Sequence, residues 1–298
     1  MKILITGGTG LIGQQISKQL LEKNHEVVFL SRNPKTGGQI QQYPWDPEKN
    51  YLDPLAINGV DTIINLAGAS VNKRWTSEYK KEILKSRTDS LQTIYKILES
   101  STHQVKHIIS TSAVGYYPDS LDDLFSETDN PGSSFLSKVC RKWEAEAVKF
   151  ERLNINVSII RIGLVLSMKG GALEAMIKPF KYGFGSALGN GKQWMPWIHI
   201  EDLSKIFLHI SEKSLAGIFN GGGLNPVRNT EFSRTLASVM KKPFFMPNLP
   251  SIVLKLIMGE SAEIALSSTK VDQKKIRESG FEYRFKDLRS ALEHLILE

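Results

Sequence analysis

The stretch "KILITGGTGLIG", residues 2–13, decides the fold. Residues 2–6 form a short apolar run that reads as a strand. Gly7, Gly10 and Gly13 come next, and residues 11–22 carry the spacing of an amphipathic helix. Glycines there permit a tight turn out of the strand, let backbone approach a pyrophosphate, and let the helix pack close to the strand. The helix N-terminus meanwhile turns unpaired N–H groups toward an anion. A bare three-glycine spacing carries little weight. Set between a strand and a helix of one βαβ unit, it marks a dinucleotide cradle made of Gly7, Thr9, Gly10, Leu11, Ile12 and Gly13.

Working outward, the same alternation recurs. Residues 26–30, 61–66, 105–110 and 157–162 read as short apolar strands, and 77–98 and 134–152 as helices. Continuously apolar strands separated by helices are the pattern of a parallel sheet covered on both faces, so the fold class is α/β, doubly wound. Residues 33–58 hold Pro34, Pro44, Pro47 and Pro54 and read as a long irregular connection, either a small covering element or a mobile loop. From residue 166 the alternation loosens into a glycine-rich segment closed by Trp194-Met195-Pro196-Trp197, expected to form a smaller lobe beside the sheet. Residues 247–298 read as mostly helical, with breaks at Gly259 and Gly280. The expected division is a dinucleotide-binding domain over 1–245, with substrate-lobe elements from about residue 166, and a helical domain over 246–298.

Composition excludes several classes. With 41% hydrophobic and 23% charged residues, the 298-residue chain belongs with soluble globular proteins that bury a large core. No run approaches the roughly eighteen apolar residues of a membrane span, and no secretory signal pattern opens the sequence, so a cytoplasmic protein without membrane partners is expected. Cys140 is the one cysteine, which rules out an internal disulfide. The chain has 38 Lys and Arg against 31 Asp and Glu, and its net charge of +7 favours anionic ligands. The densest basic stretch, Lys73 to Arg87, is interrupted by Glu78 and Glu82 as on a solvated helix face, so no nucleic-acid partner is expected. The six histidines lack metal-ligand spacing, and no metal site is expected.

Cofactor preference is read at the end of the second strand. A carboxylate there, about twenty residues after the glycines, would bond the ribose hydroxyls and repel a 2′-phosphate. This chain has Ser31-Arg32 instead. A hydroxyl beside a guanidinium fork suits a phosphate monoester, which predicts NADP(H).

TGGTGLIG, Asn65-Leu66-Ala67-Gly68, STSAVGYY at residues 110–117 and Arg161-Ile162-Gly163-Leu164-Val165 together resemble an extended short-chain dehydrogenase/reductase. The resemblance is strongest to the atypical, nucleoside-diphosphate-sugar epimerase-like branch, which has stretches similar to Lys73-Arg74-Trp75, PWIHIED at 196–202 and GFEY at 280–283. It runs over essentially the whole chain. It implies a Rossmann-like NADP-binding core, a small helical C-terminal domain, a small-molecule substrate of sugar-nucleotide-like kind, and a homodimer through the helices at 77–98 and 134–152. Carried over by position, Leu66 and Ala67, with Gly68 beside them, look like the backbone that passes the adenosine and pyrophosphate. Glu82 and Arg87 match polar positions on the following helix, Val165 a residue beside the nicotinamide, and Ser112 the serine that bonds a substrate carbonyl or hydroxyl. Read from physics alone, Glu82 and Arg87 are an ordinary exposed pair.

The chain departs from the family where proton transfer needs a tyrosine followed four residues later by a lysine. The matching helix reads SSFLSKVCRKWEAEA, residues 133–147. One register pairs Phe135 with Val139, the other Leu136 with Cys140, and Lys138 has no tyrosine four residues before it. Tyr116 and Tyr117 directly follow the serine stretch and are the candidates to replace the missing acid. Cys140 reads as a small core residue, and Asp202 as the N-cap of a helix over 203–211. Trp194 and Trp197 either cover an organic substrate or pack in the core. Two functions remain: an NADP-dependent oxidoreductase or epimerase using Ser112 and a neighbouring tyrosine, and a non-catalytic NADP(H)-binding structural or redox-sensing protein.

Overall fold

Neighbouring residues of the strand Lys2–Thr6 bury on opposite faces of one sheet. Leu4 enters a core cluster with Val28, Ile63 and Ile108, whereas Ile3 and Ile5 enter another with Phe29, Ile64 and Ile109. An apolar strand buried on both sides is what a parallel sheet between two helical layers requires. The helices Leu11–Glu22 and Ile200–Glu212 supply one layer, and Ser77–Ser100 and Phe135–Val148 the other. The computed structural model describes residues 1–297. Glu298, the last residue of the expected C-terminal domain, lies outside the described residues.

The eight-stranded sheet runs Gly217–Gly221, Asn156–Ile162, His107–Ala113, Thr62–Asn65, Lys2–Thr6, Glu26–Ser31, Gln41–Asp46, Tyr51–Leu52. Every pair is parallel except the last. The chain winds outward from Lys2–Thr6 in both directions, so the order reverses between Lys2–Thr6 and Thr62–Asn65. Doubly wound sheets hold ligands beyond the strand ends at such a switch point. Thr76 and Ser134 cap the two long helices, their hydroxyls accepting from Tyr79 N and Ser137 N.

Residues 33–58 form more than a covering loop. Gln41–Asp46 joins the sheet beside Glu26–Ser31, and Trp45, Leu52, Ala56 and Ile57 bury in the first core cluster. Prolines hid this strand in the sequence. Pro44 is tolerated because the next strand, Tyr51–Leu52, pairs only with Trp45 and Asp46 and needs no N–H from it. The strand Gly217–Gly221 also escaped the sequence reading, because its GIFNG lacks an apolar run.

Beyond residue 166 a third cluster gathers Leu173, Ile177, Phe232 and Leu292 from Ala172–Lys181, Asn229–Val239 and Leu288–Leu297, with Trp197 from the strand Trp197–His199. The helical breaks fall at Gly259 and Gly280, whose φ angles are +67° and +90°. Asp202 does not cap its helix. His199 does, its Nδ1 accepting from Glu201 N at 3.1 Å. Asp202 lies one turn further in, where its carboxylate accepts from Arg284 N at 2.9 Å and Phe285 N at 3.0 Å and ties the C-terminal segment to the helix. Burial nevertheless pushes the Asp202 pKa up, against the pull of those two donors.

Candidate functional site

At the switch point the backbone is crowded enough to demand glycine. Gly7 has φ +65°, and a Cβ there would lie 3.1 Å from the Leu66 carbonyl. A Cβ at Gly13 would lie 2.6 Å from the Gly7 oxygen, so the helix start is packed directly on the turn. Gly10 stands at the N-cap with no side chain to satisfy the first N–H groups, and the first helical turn has no acidic residue. The helix therefore opens as an anion-accepting end. Thr6 binds the two strand ends together. Its buried hydroxyl donates to Asn65 Oδ1 at 2.7 Å and accepts from Leu66 N and Ala67 N, both at 3.1 Å, which uses its full hydrogen-bonding capacity.

Of the expected cofactor residues, Leu66 and Ala67 lie against this turn. Ile12, Leu66 and Val165 rim one core cluster. Ser31 closes its strand and accepts from Asn33 N, and the neighbouring Arg32 is exposed and forms no ion pair among the described residues. Arg87 turns in beneath the segment 67–69. Its Nη1 donates to Ala69 O at 3.1 Å and Ile83 O at 2.9 Å, and its guanidinium carbon sits 5.0 Å from the Trp143 ring centroid. A Cβ at Gly68 would come within 3.1 Å of that carbon. Arg87 is thus part of the turn's floor and no ordinary exposed residue. Glu82 is exposed on the same helix.

Beyond the sheet's third parallel neighbour lies a buried polar chain. Ser112 and Arg161 are register partners on adjacent strands, and both face Glu144 on the helix Phe135–Val148. Ser112 Oγ donates to Glu144 Oε1 at 2.6 Å, while Arg161 grips the carboxylate with Nε and Nη2, each at 2.9 Å. Arg161 Nη1 donates to the Tyr117 hydroxyl at 2.9 Å, which donates to Asn220 Oδ1 at 2.7 Å. Burial works against the Arg161 charge, yet Glu144 and Tyr117 hold its pKa above the ordinary value. Burial pushes the Tyr117 hydroxyl up to about 12 despite Arg161 beside it.

Sequence reasoning placed Tyr116 and Tyr117 together as candidates, and the structure separates them. Tyr117 is 3% exposed and its hydroxyl is fully engaged inside the chain. Tyr116 is half-buried, lies with its ring 3.4 Å from the Arg161 guanidinium, and has no hydrogen bond to its hydroxyl among the described residues. Leu136 packs against Gly115, and the Cys140 thiol points at Ala113 O from 3.7 Å, so these two helix positions face the strand end. Lys138 is exposed on the other side. Glu144 and the floor residue Trp143 went unread in the sequence. The signal was Arg161, a lone charge in an apolar strand, which needs a buried partner.

The two tryptophans divide as well. Trp197 is fully buried core. Trp194 borders a cleft of about 300 Å³ with Asn225, Lys270, Gln273 and Arg277, and the Arg228 guanidinium and Lys270 ammonium lie 4.4 Å and 4.5 Å from its ring centroid. His199 is stacked on Phe285 at 3.8 Å, and burial with His294 alongside pulls its pKa down to about 3. Among the described residues no group of His, Cys, Asp or Glu is arranged to hold a metal, and no helix is long and apolar enough to cross a membrane.

The sheet order with the glycine turn at its switch point defines an NAD(P)-binding, doubly wound α/β protein. The profile of the NAD dependent epimerase/dehydratase family matches residues 3–222, and a domain of unknown function, DUF1731, matches residues 249–295. The chain belongs to the NAD dependent epimerase/dehydratase family. It is 38% identical over 299 residues to an epimerase family protein of Staphylococcus aureus, covering 99% of each chain. Among solved structures it is similar to the human epimerase family protein SDR39U1 with NADPH, at 32% identity, a TM-score of 0.90 and 99% coverage of each chain. It is also similar to the nucleoside-diphosphate sugar epimerase from Corynebacterium glutamicum, at 28% identity and TM-score 0.80, over 99% of this chain and 58% of that one.

Proposed function

We propose that the protein is an NADP(H)-dependent, epimerase-like oxidoreductase of the short-chain dehydrogenase/reductase superfamily, acting on a small hydroxyl- or carbonyl-bearing substrate of sugar-nucleotide-like kind. The observation that carries the reading is the turn itself. Gly7, Gly10 and Gly13 let the turn pack directly against an uncapped helix start, and the exposed Arg32 forms no ion pair among the described residues. In this reading Thr9, Leu11, Ile12 and Leu66 to Gly68 line the pyrophosphate and adenosine, and Ser31 and Arg32 hold a 2′-phosphate. When bound, the dinucleotide supplies the hydride acceptor or donor. The NADPH in the similar human structure supports the choice of NADP(H).

Toward the substrate, Tyr116 holds the transferable proton, because Tyr117 is engaged elsewhere. Ser112 orients the reacting oxygen by accepting a hydrogen bond, because its own proton goes to Glu144. The cationic cleft at Trp194 suits an anionic end of the substrate. Residues 1–245 form the cofactor and substrate unit and 246–298 a helical unit closing against it.

A second reading, a binding protein without turnover, is favoured by Leu136 and Cys140 at the helix positions facing the strand end. Hydride tracing separates the two: NADPH labelled at either face of nicotinamide C4 is mixed with a small-metabolite extract and the protein. Label arriving in a metabolite supports the oxidoreductase. Tight binding with the label retained, and no exchange of label between extract components, supports the second reading.

A further inference from the structure

The net charge of the chain is concentrated where its largest apolar side chains are exposed. Between Glu174 and Glu201, and again between Glu231 and Glu260, the sequence contains no carboxylate. The first interval holds Lys178, Lys181 and Lys192, the second Arg234, Lys241, Lys242 and Lys255, all exposed. Removing these seven from the chain's 38 basic residues leaves 31 against 31 acidic ones, so the rest of the chain is neutral. Only Lys178 forms an ion pair among the described residues, with Glu174 at 3.9 Å.

The same two intervals expose Tyr182, Phe184, Phe245, Ile252, Leu256 and Ile257, each between 65% and 78% accessible. The fold brings the intervals together. Leu188 bridges Leu249, with Gly189 N donating to Leu249 O and Leu249 N to Ala187 O, both at 2.8 Å, and Phe180 stacks parallel to Phe244. The helix Ser251–Met258 turns only Leu254 fully inward and leaves Ile252, Leu256 and Ile257 in solvent. Water-soluble surfaces seldom present so many large apolar groups together, and such patches mark contact sites.

We propose that this ledge docks on the surface of an anionic lipid bilayer, with the exposed aliphatic and aromatic side chains entering the headgroup boundary and the lysines and arginine facing lipid phosphates. Charge complementarity selects this occupant. A purely apolar partner would leave six of the seven cations without counterions, while an anionic surface satisfies both features at once. Docking is interfacial and reversible, and departs from the expectation that the protein has no membrane partner.

The test is co-sedimentation of the full chain with vesicles of mixed phosphatidylglycerol and phosphatidylcholine, and with phosphatidylcholine alone, at about 0.1 M salt and above. Binding should require phosphatidylglycerol and weaken as salt rises. Leu256→Ser with Ile257→Ser should reduce it about tenfold, as should Lys241→Glu with Lys242→Glu. Both pairs are exposed, so an unchanged melting temperature confirms the fold. Lys106→Glu with Lys286→Glu, the same charge change elsewhere on the surface, should leave binding within about twofold of the parent chain. Absence of binding by the parent chain overturns the proposal. So does equal weakening by the control pair, or binding undiminished when Leu256 and Ile257 are replaced while sedimentation shows those residues instead hold two copies of the chain together.

Discussion

Ser112 Oγ lies 2.6 Å from Glu144 Oε1, and the proton between them belongs to the serine. Glu144 is gripped by both Nε and Nη2 of Arg161, so it can only accept. A hydroxyl has one proton to give. Toward any ligand Ser112 therefore offers lone pairs alone, which favours a substrate hydroxyl over a carbonyl as its partner.

The Glu144 and Arg161 pair should matter far more when broken than when intact. Glu144→Ala leaves a guanidinium that is 1% exposed without its counterion, a loss of about 3–5 kcal/mol in unfolding free energy. Urea denaturation of the variant checks this, and a loss under about 1 kcal/mol would show that water reaches Arg161.

Arg32→Glu should weaken NADPH binding by about one to two orders of magnitude while leaving NADH binding nearly unchanged, because one charged hydrogen-bonding partner of the 2′-phosphate is reversed in sign. Calorimetric titration with the two dinucleotides measures both affinities. Unchanged NADPH affinity would sink the assignment of Arg32.

Tyr116→Phe should abolish label transfer from NADPH without lowering stability, since its hydroxyl has no partner inside the described chain. Tyr117→Phe should do the opposite. It deletes the group between Arg161 and Asn220 and should cost about 1–3 kcal/mol of stability. Full turnover in the Tyr116 variant would remove it as proton donor.

Acid should destabilise the protein before its carboxylates titrate. Burial lowers the His107 pKa to about 4, and His199 falls to about 3, against 6.5 for a free side chain. The native state therefore binds fewer protons than the unfolded chain. The contribution is complete above pH 6.5 and is lost as pH falls from there toward 4. At 1.36 kcal/mol per unit, His107 alone accounts for on the order of 3 kcal/mol. His107→Gln should flatten the decline in denaturation midpoint measured between about pH 7 and pH 5, whatever it does to the midpoint at pH 7.

Cys140 should resist alkylation. Burial pushes its thiol up to about 11, so almost no thiolate exists near neutral pH. Mass spectrometry after iodoacetamide treatment should find the native chain unmodified and the urea-unfolded chain modified. Rapid labelling of the native protein would mean the helix Phe135–Val148 opens readily.

The glycine turn and its place at the sheet's switch point were legible because their requirements are local. A strand, a glycine turn and a helix start are written in one dozen residues, whereas Leu66 and Ala67 were named by the family resemblance. Arg87 was legible only as a charged helix position. Its burial against Trp143 depends on two helices lying side by side. Glu144 went unread, and Asp202 was read as a cap, because their partners stand 17 or more residues away. The strand Gln41–Asp46 was masked by its proline, which is tolerated there because the outer strand pairs only with Trp45 and Asp46.

By itself the sequence determined the doubly wound sheet and the glycine turn at its switch point, since apolar period and glycine conformation are properties of neighbouring residues. Tertiary structure alone decided which polar side chains meet. Register set Ser112 beside Arg161, packing set Glu144 over both, and that arrangement assigned Tyr117 to the interior and left the Tyr116 hydroxyl without a hydrogen bond among the described residues. Such pairings depend on which distant segments come within about 3 Å of each other, and hydrogen bonds that short are specified only once the whole chain has packed.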